Sequence, residues 1–360
     1  MRKALALAER GRATTSPNPM VGALVVDDDG VIVGRGSHRV AGGPHAEVIA
    51  LEDAGDRAKG ATLFCTLEPC SHVGRTGPCA PLVANAGIRR AVIAIEDPNP
   101  RVNGAGLRQL RDRGVELTVG VLREEATRQN ERFLTNVRKK RPLVIVKAAL
   151  SLDGCVAVAP GLRTPLTGPA TARFVHRQRA EVDAIGVGAG TVLADDPLLT
   201  ARGAYRGRPL TRVVFDRRLQ TPPAARLLST CSAGPVIIVT TRQVYDDAGH
   251  RVAALRSAGA EVVAAPSDDF AAALSPLGDA GITSLVLEGG PTVHRAALDA
   301  GVVDVVHLYV APRLLDVRSA TVPCLKWMEA GRFAIGQLSG RSLRWLGDDV
   351  LVEGHVHGSD

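Results

Sequence analysis

The run Leu143-Val144-Ile145-Val146, carried on through Lys147-Ala148-Ala149-Leu150 to Asp153-Gly154, predicts a buried strand closed by an Asp-Gly turn. Shorter apolar runs at Ala184–Val187, Arg212–Phe215, Val236–Thr240, Glu261–Ala264 and Ser284–Leu287 predict further strands. Helical stretches lie between several of them, which is an α/β pattern. Nearer the N-terminus, Thr62-Leu63-Phe64-Cys65-Thr66-Leu67 predicts a strand ending at Glu68-Pro69, so that Cys70 falls where a strand gives way to a helix. Residues Met1 to Arg10 begin like a signal peptide, but Glu9 and Arg10 interrupt the apolar stretch and a first amphipathic helix is expected instead. No run approaches the roughly 18 apolar residues of a membrane span. The charged run Arg138-Lys139-Lys140-Arg141 reads as a solvated hinge ahead of Pro142, which divides the chain into domains 1–142 and 143–360.

Composition is consistent with that division. A chain of 360 residues with 45% hydrophobic and 22% charged positions has room for two globular cores. Six cysteines in so long a chain are no disulfide framework, so a reducing, cytoplasmic compartment is expected. A formal charge of +7 invites a nucleic-acid-binding or editing protein as an alternative. Against it, aromatic residues are only 3% of the chain, leaving few platforms for stacking bases, and the basic residues are dispersed apart from the hinge run.

The candidate chemistry begins at Pro44-His45-Ala46-Glu47, followed by Pro69-Cys70 and, after eight residues, Cys79. A lone His-x-Glu is more often a helix surface than a site, and two cysteines alone are often buried thiols. Together they supply one imidazole and two thiols, the three protein ligands of a catalytic zinc whose fourth position stays open for water. Glu47 is then left for proton transfer. This order, with the glutamate as shuttle and not as ligand, is that of zinc base deaminases, although the gap between the cysteines is longer than usual. Pro44 and Pro78 each stand just ahead of a ligand, where a helix start tolerates proline. The leftover cysteines, Cys65, Cys155, Cys231 and Cys324, are expected to pack.

The segment from Thr66 to Cys79, TLEPCSHVGRTGPC, resembles the deaminase half of the bifunctional riboflavin-biosynthesis deaminase/reductases, including its cysteine spacing. Ser16-Pro17-Asn18-Pro19-Met20-Val21-Gly22, Asp97-Pro98-Asn99-Pro100 and Gly104-Ala105-Gly106 continue the likeness, which covers nearly the whole chain. Gly77 stands where the family usually has proline. The resemblance implies a cytidine-deaminase-like three-layer α/β/α domain in which His45, Cys70 and Cys79 hold zinc and Glu47 moves the proton. The implied substrate is a diaminopyrimidinone carrying a ribosylamino 5'-phosphate.

In the second half, two glycine-rich turns follow predicted strands: Gly186-Val187-Gly188-Ala189-Gly190-Thr191 and Glu288-Gly289-Gly290-Pro291-Thr292. Either suits a phosphate, and either is equally a tight turn. Neither is a Rossmann G-x-G-x-x-G. The stretch Ala184 to Pro197, AIGVGAGTVLADDP, is similar to the reductase half of the same family, which implies a dihydrofolate-reductase-like α/β fold using NADPH to reduce the ribosyl group to ribityl. By the same resemblance, Ala149, Pro165, Thr191, Asp195, Gly290, Pro291, Thr292, Val293, His294, Arg295 and Ala296 would line the cofactor site. Arg163, Arg179, Leu198, Arg202 and Glu288 would contact substrate, arginine being suited to phosphate by its fork of donors. The chain departs from the family at Arg163 and Pro165, where many members carry serine and tryptophan, at Arg217 after Asp216, and at Asp316 in place of a glycine. Arg163 and Arg217 would add positive charge for the substrate phosphate or the 2'-phosphate of NADPH. The departures also keep in view a deaminase whose second domain has lost hydride transfer. A homo-oligomer is expected from the family.

Overall fold

The computed structural model describes residues 1–71, 77–100, 102–159, 162, 164–315 and 338–356. Two compact units make up the chain, one spanning Met1–Lys140 and one beginning at Arg141.

In the first unit the order is α1 (Arg2–Ala8), β1 (Gly22–Val26), β2 (Ile32–Ser37), α2 (Ala46–Ala54), β3 (Thr62–Cys65), α3 (Cys79–Asn85), β4 (Arg90–Ile93), α4 (Ala105–Asp112), β5 (Glu116–Val119), α5 (Arg123–Gln129) and α6 (Glu131–Lys139). The strands form one sheet in the order β2-β1-β3-β4-β5, antiparallel across β2, β1 and β3 and parallel from β3 to β5. Parallel neighbours require crossovers, and α3 and α4 supply them.

Successive residues of a strand point to opposite faces, so Gly22 on β1 and Gly36 on β2, whose register partner is Ala23, face opposite ways. A Cβ on Gly22 would stand 2.0 Å from the Ala4 carbonyl of α1, and one on Gly36 would stand 1.9 Å from the Ala46 carbonyl of α2. Helices therefore cover both faces, which makes three layers. On the α2 side the approach is backbone to backbone: Gly34 and Gly36 lie under Ala46, Ala50 and Ala54, the i, i+4, i+8 stripe of the helix. The predicted first helix is α1, with Ala4 and Ala8 buried. The strand expected over 62–67 stops at Cys65, and the helix after it starts at Cys79 and not at Cys70, which lies in the connecting loop.

The second unit runs β6 (Leu143–Leu150), α7 (Pro169–Glu181), β7 (Ala184–Gly188), α8 (Ala189–Asp195), β8 (Thr211–Phe215), β9 (Val236–Thr240), α9 (Arg242–Asp247), α10 (Gly249–Ser257), β10 (Glu261–Ala264), α11 (Ser275–Asp279), β11 (Ser284–Gly289), α12 (Pro291–Asp299), β12 (Val305–Val310), β13 (Ser339–Leu346) and β14 (Asp349–His355). Among the described residues these strands form one sheet, β10-β9-β8-β7-β11-β6-β12-β14-β13, parallel from β10 to β12 and antiparallel beyond. The apolar runs seen in the sequence are its central strands, except that Glu261–Ala264 forms the end strand β10 and is only partly buried. Separate hydrophobic cores cover its two faces, one around Val146 and Leu287 and the other around Ile145 and Val286.

The basic run at the boundary is not wholly a solvated hinge. Arg141 is 11% exposed and makes a bidentate pair with Asp304 at 2.6 and 2.9 Å, and Asp304 also accepts from the Val144 amide at 2.9 Å. The start of β6 is thereby tied to the start of β12. Cys65 is buried as expected, whereas Cys155 is disulfide-bonded and not merely packed. Cys324 and Asp316 lie outside the described residues.

Gly36→Ala puts a methyl where the Ala46 carbonyl stands, so α2 must shift. The variant should unfold earlier by about 1–3 kcal/mol or more, as overpacked cores do, and should lose metal with it. Thermal unfolding together with zinc content checks this; a wild-type result would show the contact to be slack.

Candidate active sites

In the first unit, α2 begins at the residue after His45, whose extended backbone makes it the N-cap, and Glu47 lies in the first turn. Cys79 is the first residue of α3, with Pro78 as N-cap, and the Cys79 amide donates to Cys70 Sγ at 3.3 Å. His45 Nδ1 lies 3.2 Å from Cys79 Sγ and 3.5 Å from Cys70 Sγ, and all three donor atoms fall within 4.8 Å of one another. With ordinary zinc bond lengths, the nitrogen-to-sulfur edge of a tetrahedral site is about 3.6 Å. The donor set and its spacing fit zinc, and a site with three protein ligands would keep a position open for water.

The protons in the cluster show the same bias. Cys70 is pushed down to about 4 by the hydrogen bond from Cys79, with His45 adding to it, while the shared bond and burial push Cys79 up. One proton serves two sulfurs, and a divalent cation would replace it. Glu47 is 4% exposed, and burial raises its carboxyl to about 7. It is thus poised to take or give a proton near neutrality.

These groups open onto a cavity of about 420 Å³, whose wall includes Asn18, His38, Glu68, Asp97 and Asn99. His38 was not singled out from the sequence. Its Nδ1 lies 2.9 Å from the Pro44 carbonyl and its Nε2 3.2 Å from Asn18 Nδ2, while burial lowers its pKa. A neutral ring donating from Nδ1 and accepting at Nε2 satisfies both contacts. The loop bearing Asn18 is held from behind by Asn130, whose Oδ1 accepts from the Met20 amide at 2.8 Å and whose Nδ2 donates to the Met20 carbonyl at 2.9 Å.

In the second unit, Ala149, Thr191, Asp195, Glu288, Gly290, Pro291, Thr292, Val293 and His294 line a cavity of about 450 Å³. Gly290 has φ +87°, and a Cβ there would meet Thr191 Oγ1 at 3.3 Å, so the turn after β11 closes tightly over α8. Burial pushes His294 down to about 4, a neutral ring, against the opposing effect of the bond from its Nε2 to the Leu287 carbonyl at 3.1 Å. Of the remaining cofactor residues, Ala296 lines a second cavity of about 580 Å³, which also contains Arg217, Arg218, Thr240 and Thr241. Gly188, Gly190, Thr292 and Val293 border both cavities. Pro165 and Arg295 border neither, and Arg295 pairs with Asp299 on the exposed side of α12 at 3.3 Å. Arg163 lies outside the described residues.

Among the substrate candidates, Arg179 grips Glu288 with two bonds of 2.7 and 2.6 Å and donates to the Thr200 carbonyl at 2.9 Å. Burial would raise the Glu288 carboxyl, but the Arg179 charge outweighs it and the pKa falls. Arg202 leans on His176 at 3.1 and 3.4 Å; neither Arg202 nor Leu198 borders the cavity. Lys147, absent from the sequence reading, does. Its Nζ sits 5.5 Å from the centre of the Tyr309 ring, and burial lowers its pKa while Glu288 opposes the shift. A polar residue at an interior-facing position of the otherwise apolar run Leu143–Leu150 was the signal available for it.

A family profile described as the cytidine and deoxycytidylate deaminase zinc-binding region matches residues 1–95, and one described as the RibD C-terminal domain matches residues 142–322. The riboflavin biosynthesis protein RibD of Escherichia coli K12 is 38% identical over 372 residues, covering 98% of this chain and 97% of its own. That of Aquifex aeolicus is 39% identical over 315 residues, covering 88% and 86%. Among solved structures, Acinetobacter baumannii RibD superposes with a TM-score of 0.83 at 33% identity, covering 98% of this chain and 97% of that one. A diaminohydroxyphosphoribosylaminopyrimidine deaminase/5-amino-6-(5-phosphoribosylamino)uracil reductase from Thermotoga maritima gives 0.80 at 34% identity, covering 99% and 97%.

The purified chain should carry about one zinc, the content expected of a three-ligand site, and Cys70→Ala should bring it near zero. Metal analysis after extensive dialysis reads this; full zinc in the variant would remove Cys70 from the ligand set.

Proposed function

The chain belongs to the RibD family of bifunctional deaminase/reductases of riboflavin biosynthesis, and from that premise we propose how its residues divide the two reactions. Residues 1–142 deaminate 2,5-diamino-6-(5-phosphoribosylamino)pyrimidin-4(3H)-one to 5-amino-6-(5-phosphoribosylamino)uracil. Residues 143–360 then reduce the ribosyl group to ribityl. The observation that carries the first assignment is the donor cluster of His45, Cys70 and Cys79 with a buried carboxyl, Glu47, beside it.

When bound, zinc lowers the pKa of its water to about 7 and so supplies a nucleophile at neutral pH. Glu47 accepts the proton released as that nucleophile forms and delivers it to the departing amine, leaving as ammonia. A carboxyl held near neutrality by burial suits both transfers. Asn18 and neutral His38 stand on the same wall and orient the pyrimidine.

For the reductase, the two cavities, of about 580 and 450 Å³, share Gly188, Gly190, Thr292 and Val293 along the carboxyl ends of β7, β8, β9 and β11, the place where open α/β sheets bind their ligands. NADPH supplies the hydride. The turn from Gly290 and the start of α12 offer amides to its phosphates. Thr240 Oγ1 is buried without a hydrogen-bond partner among the described residues and is a donor for the adenosine end. Arg217, paired with Asp268 at 3.4 Å on the exposed rim, is the cation for the 2'-phosphate. Lys147, facing Glu288, is placed to give the proton that the ribose oxygen needs as hydride arrives at carbon.

A second domain reduced to a scaffold, and an editing protein, lack a comparable observation. For reducing, cytoplasmic surroundings the support is that Cys65, Cys70, Cys79 and Cys231 are free thiols, with the disulfide at Cys155 standing against it. No helix among the described residues is long and apolar enough to cross a membrane. For the homo-oligomer, the support is β13, an edge strand with Leu343 and Trp345 each 73% exposed.

Glu47→Gln should lower ammonia release by about 10²–10⁴-fold and leave NADPH oxidation intact when the deaminated intermediate is supplied. A wild-type rate of ammonia release would sink the assignment. Arg217→Ala should cut the ratio of kcat/KM for NADPH over NADH by about tenfold, the worth of one charge-assisted hydrogen bond. An unchanged ratio would place the 2'-phosphate elsewhere.

A further inference from the structure

Three segments of the first unit carry sequence motifs but no role in the chemistry above: Glu68-Pro69, Asp97-Pro98-Asn99 and Gly104-Ala105-Gly106. One carboxylate joins them. Glu68 is 3% exposed; its Oε2 accepts from the amides of Asp97 and Gly104, both at 3.1 Å, and its Oε1 from those of Gly106 at 2.9 Å and Leu107 at 3.2 Å. A carboxylate has about four lone-pair directions, and here each meets an amide. Nothing is left with which it could hold substrate or a proton in transit.

The amides it serves are of two kinds. Those of Gly106 and Leu107 belong to the first turn of α4, which no side chain of its own caps. Those of Asp97 and Gly104 bracket the loop that brings Asp97 and Asn99 to the wall of the metal cavity. On the other side, Glu68 is two residues from the metal ligand Cys70, and its own amide donates to the Ile95 carbonyl at 3.0 Å. A Cβ on Gly106 would stand 2.0 Å from the Pro69 carbonyl, so the start of α4 is pressed against the same turn.

We infer that Glu68 is a positioning residue for the deamination: it sets Asp97 and Asn99, on the wall of the cavity, against the turn that carries Cys70 and so fixes the fit of the substrate, without touching the reacting atoms. The inference rests on the assignment of deamination to this cavity. A glutamine at this position has one acceptor oxygen and turns an NH₂ toward two N–H donors, so half the clamp is lost while the shape is kept.

The test is steady-state deamination by the full chain with Glu68→Gln and Glu68→Asp, read beside zinc content and NADPH oxidation of supplied intermediate. Glu68→Gln should raise the deamination KM by about tenfold or more, as displaced positioning groups do, with kcat changed by no more than about twofold. Zinc content and the reductase rate should stay at wild-type values. If Glu68→Gln fails to hold zinc, Glu68→Asp decides, since it keeps charge and both oxygens but retracts them by one methylene; it too should raise KM with metal in place. A wild-type KM in the zinc-loaded variants overturns the inference, and so does a loss confined to kcat. Absence of ammonia release from the zinc-loaded wild type would instead overturn the assignment on which it rests.

Discussion

The contact between α2 and β2 is the constraint from which the deaminase centre follows. Because Gly34 and Gly36 present no side chain, the helix lies on the backbone of the strand along the stripe of Ala46, Ala50 and Ala54. So close a seat leaves the helix no freedom to slide or rotate, since interiors pack at crystal density and a methyl cannot be absorbed. His45 caps that helix and Glu47 occupies its first turn, so the seat positions the proposed ligand and the proposed proton carrier together. The remaining ligands then need only come from the far side, from the loop after β3 and the start of α3.

Three buried carboxylates show how environment, and not residue type, sets a role. At Glu47 burial outweighs the opposing pull of a backbone hydrogen bond and of His45 and pushes the carboxyl up to about 7, where it can exchange a proton. Glu68 is saturated by four amides and is fit only to hold backbone in place. Glu288 is gripped by both prongs of Arg179, with Lys147 nearby, and stays an anion. Burial is common to all three; the difference is whether a neighbour stabilises the charge, as the Arg179 fork does, spends the lone pairs, as amides do, or does too little of either to offset burial.

Within each unit, chemistry gathers where strands end. Of the proposed metal ligands, His45 stands ahead of α2, Cys70 follows β3 and Cys79 opens α3, while the proposed cofactor cavities follow β7, β8, β9 and β11. Lys147 is the exception, rising from inside β6 into the cavity, where burial that lowers its pKa makes its proton easier to give.

Much of this was legible in the chain before folding. The ligand types, the glutamate two residues from the histidine, the buried central strands β6, β7, β8, β9 and β11, and the edge strand β10 all follow from local spacing and apolar runs. Less visible were β2, whose glycines break its alternation, and β13, whose exposed residues carry no core signal. The helix start at Cys79 in place of Cys70, and the pairing of Arg141 with Asp304, were also beyond local reading. A sequence determines which groups exist and which way each faces along its own element, because those depend on the period of the backbone. Which elements meet is decided by packing over distances of thirty or more residues, as when Glu68 gathers amides up to Leu107 or Arg179 finds Glu288. No periodicity encodes those encounters, so His38, Lys147 and Glu68 acquired their roles only in the folded chain.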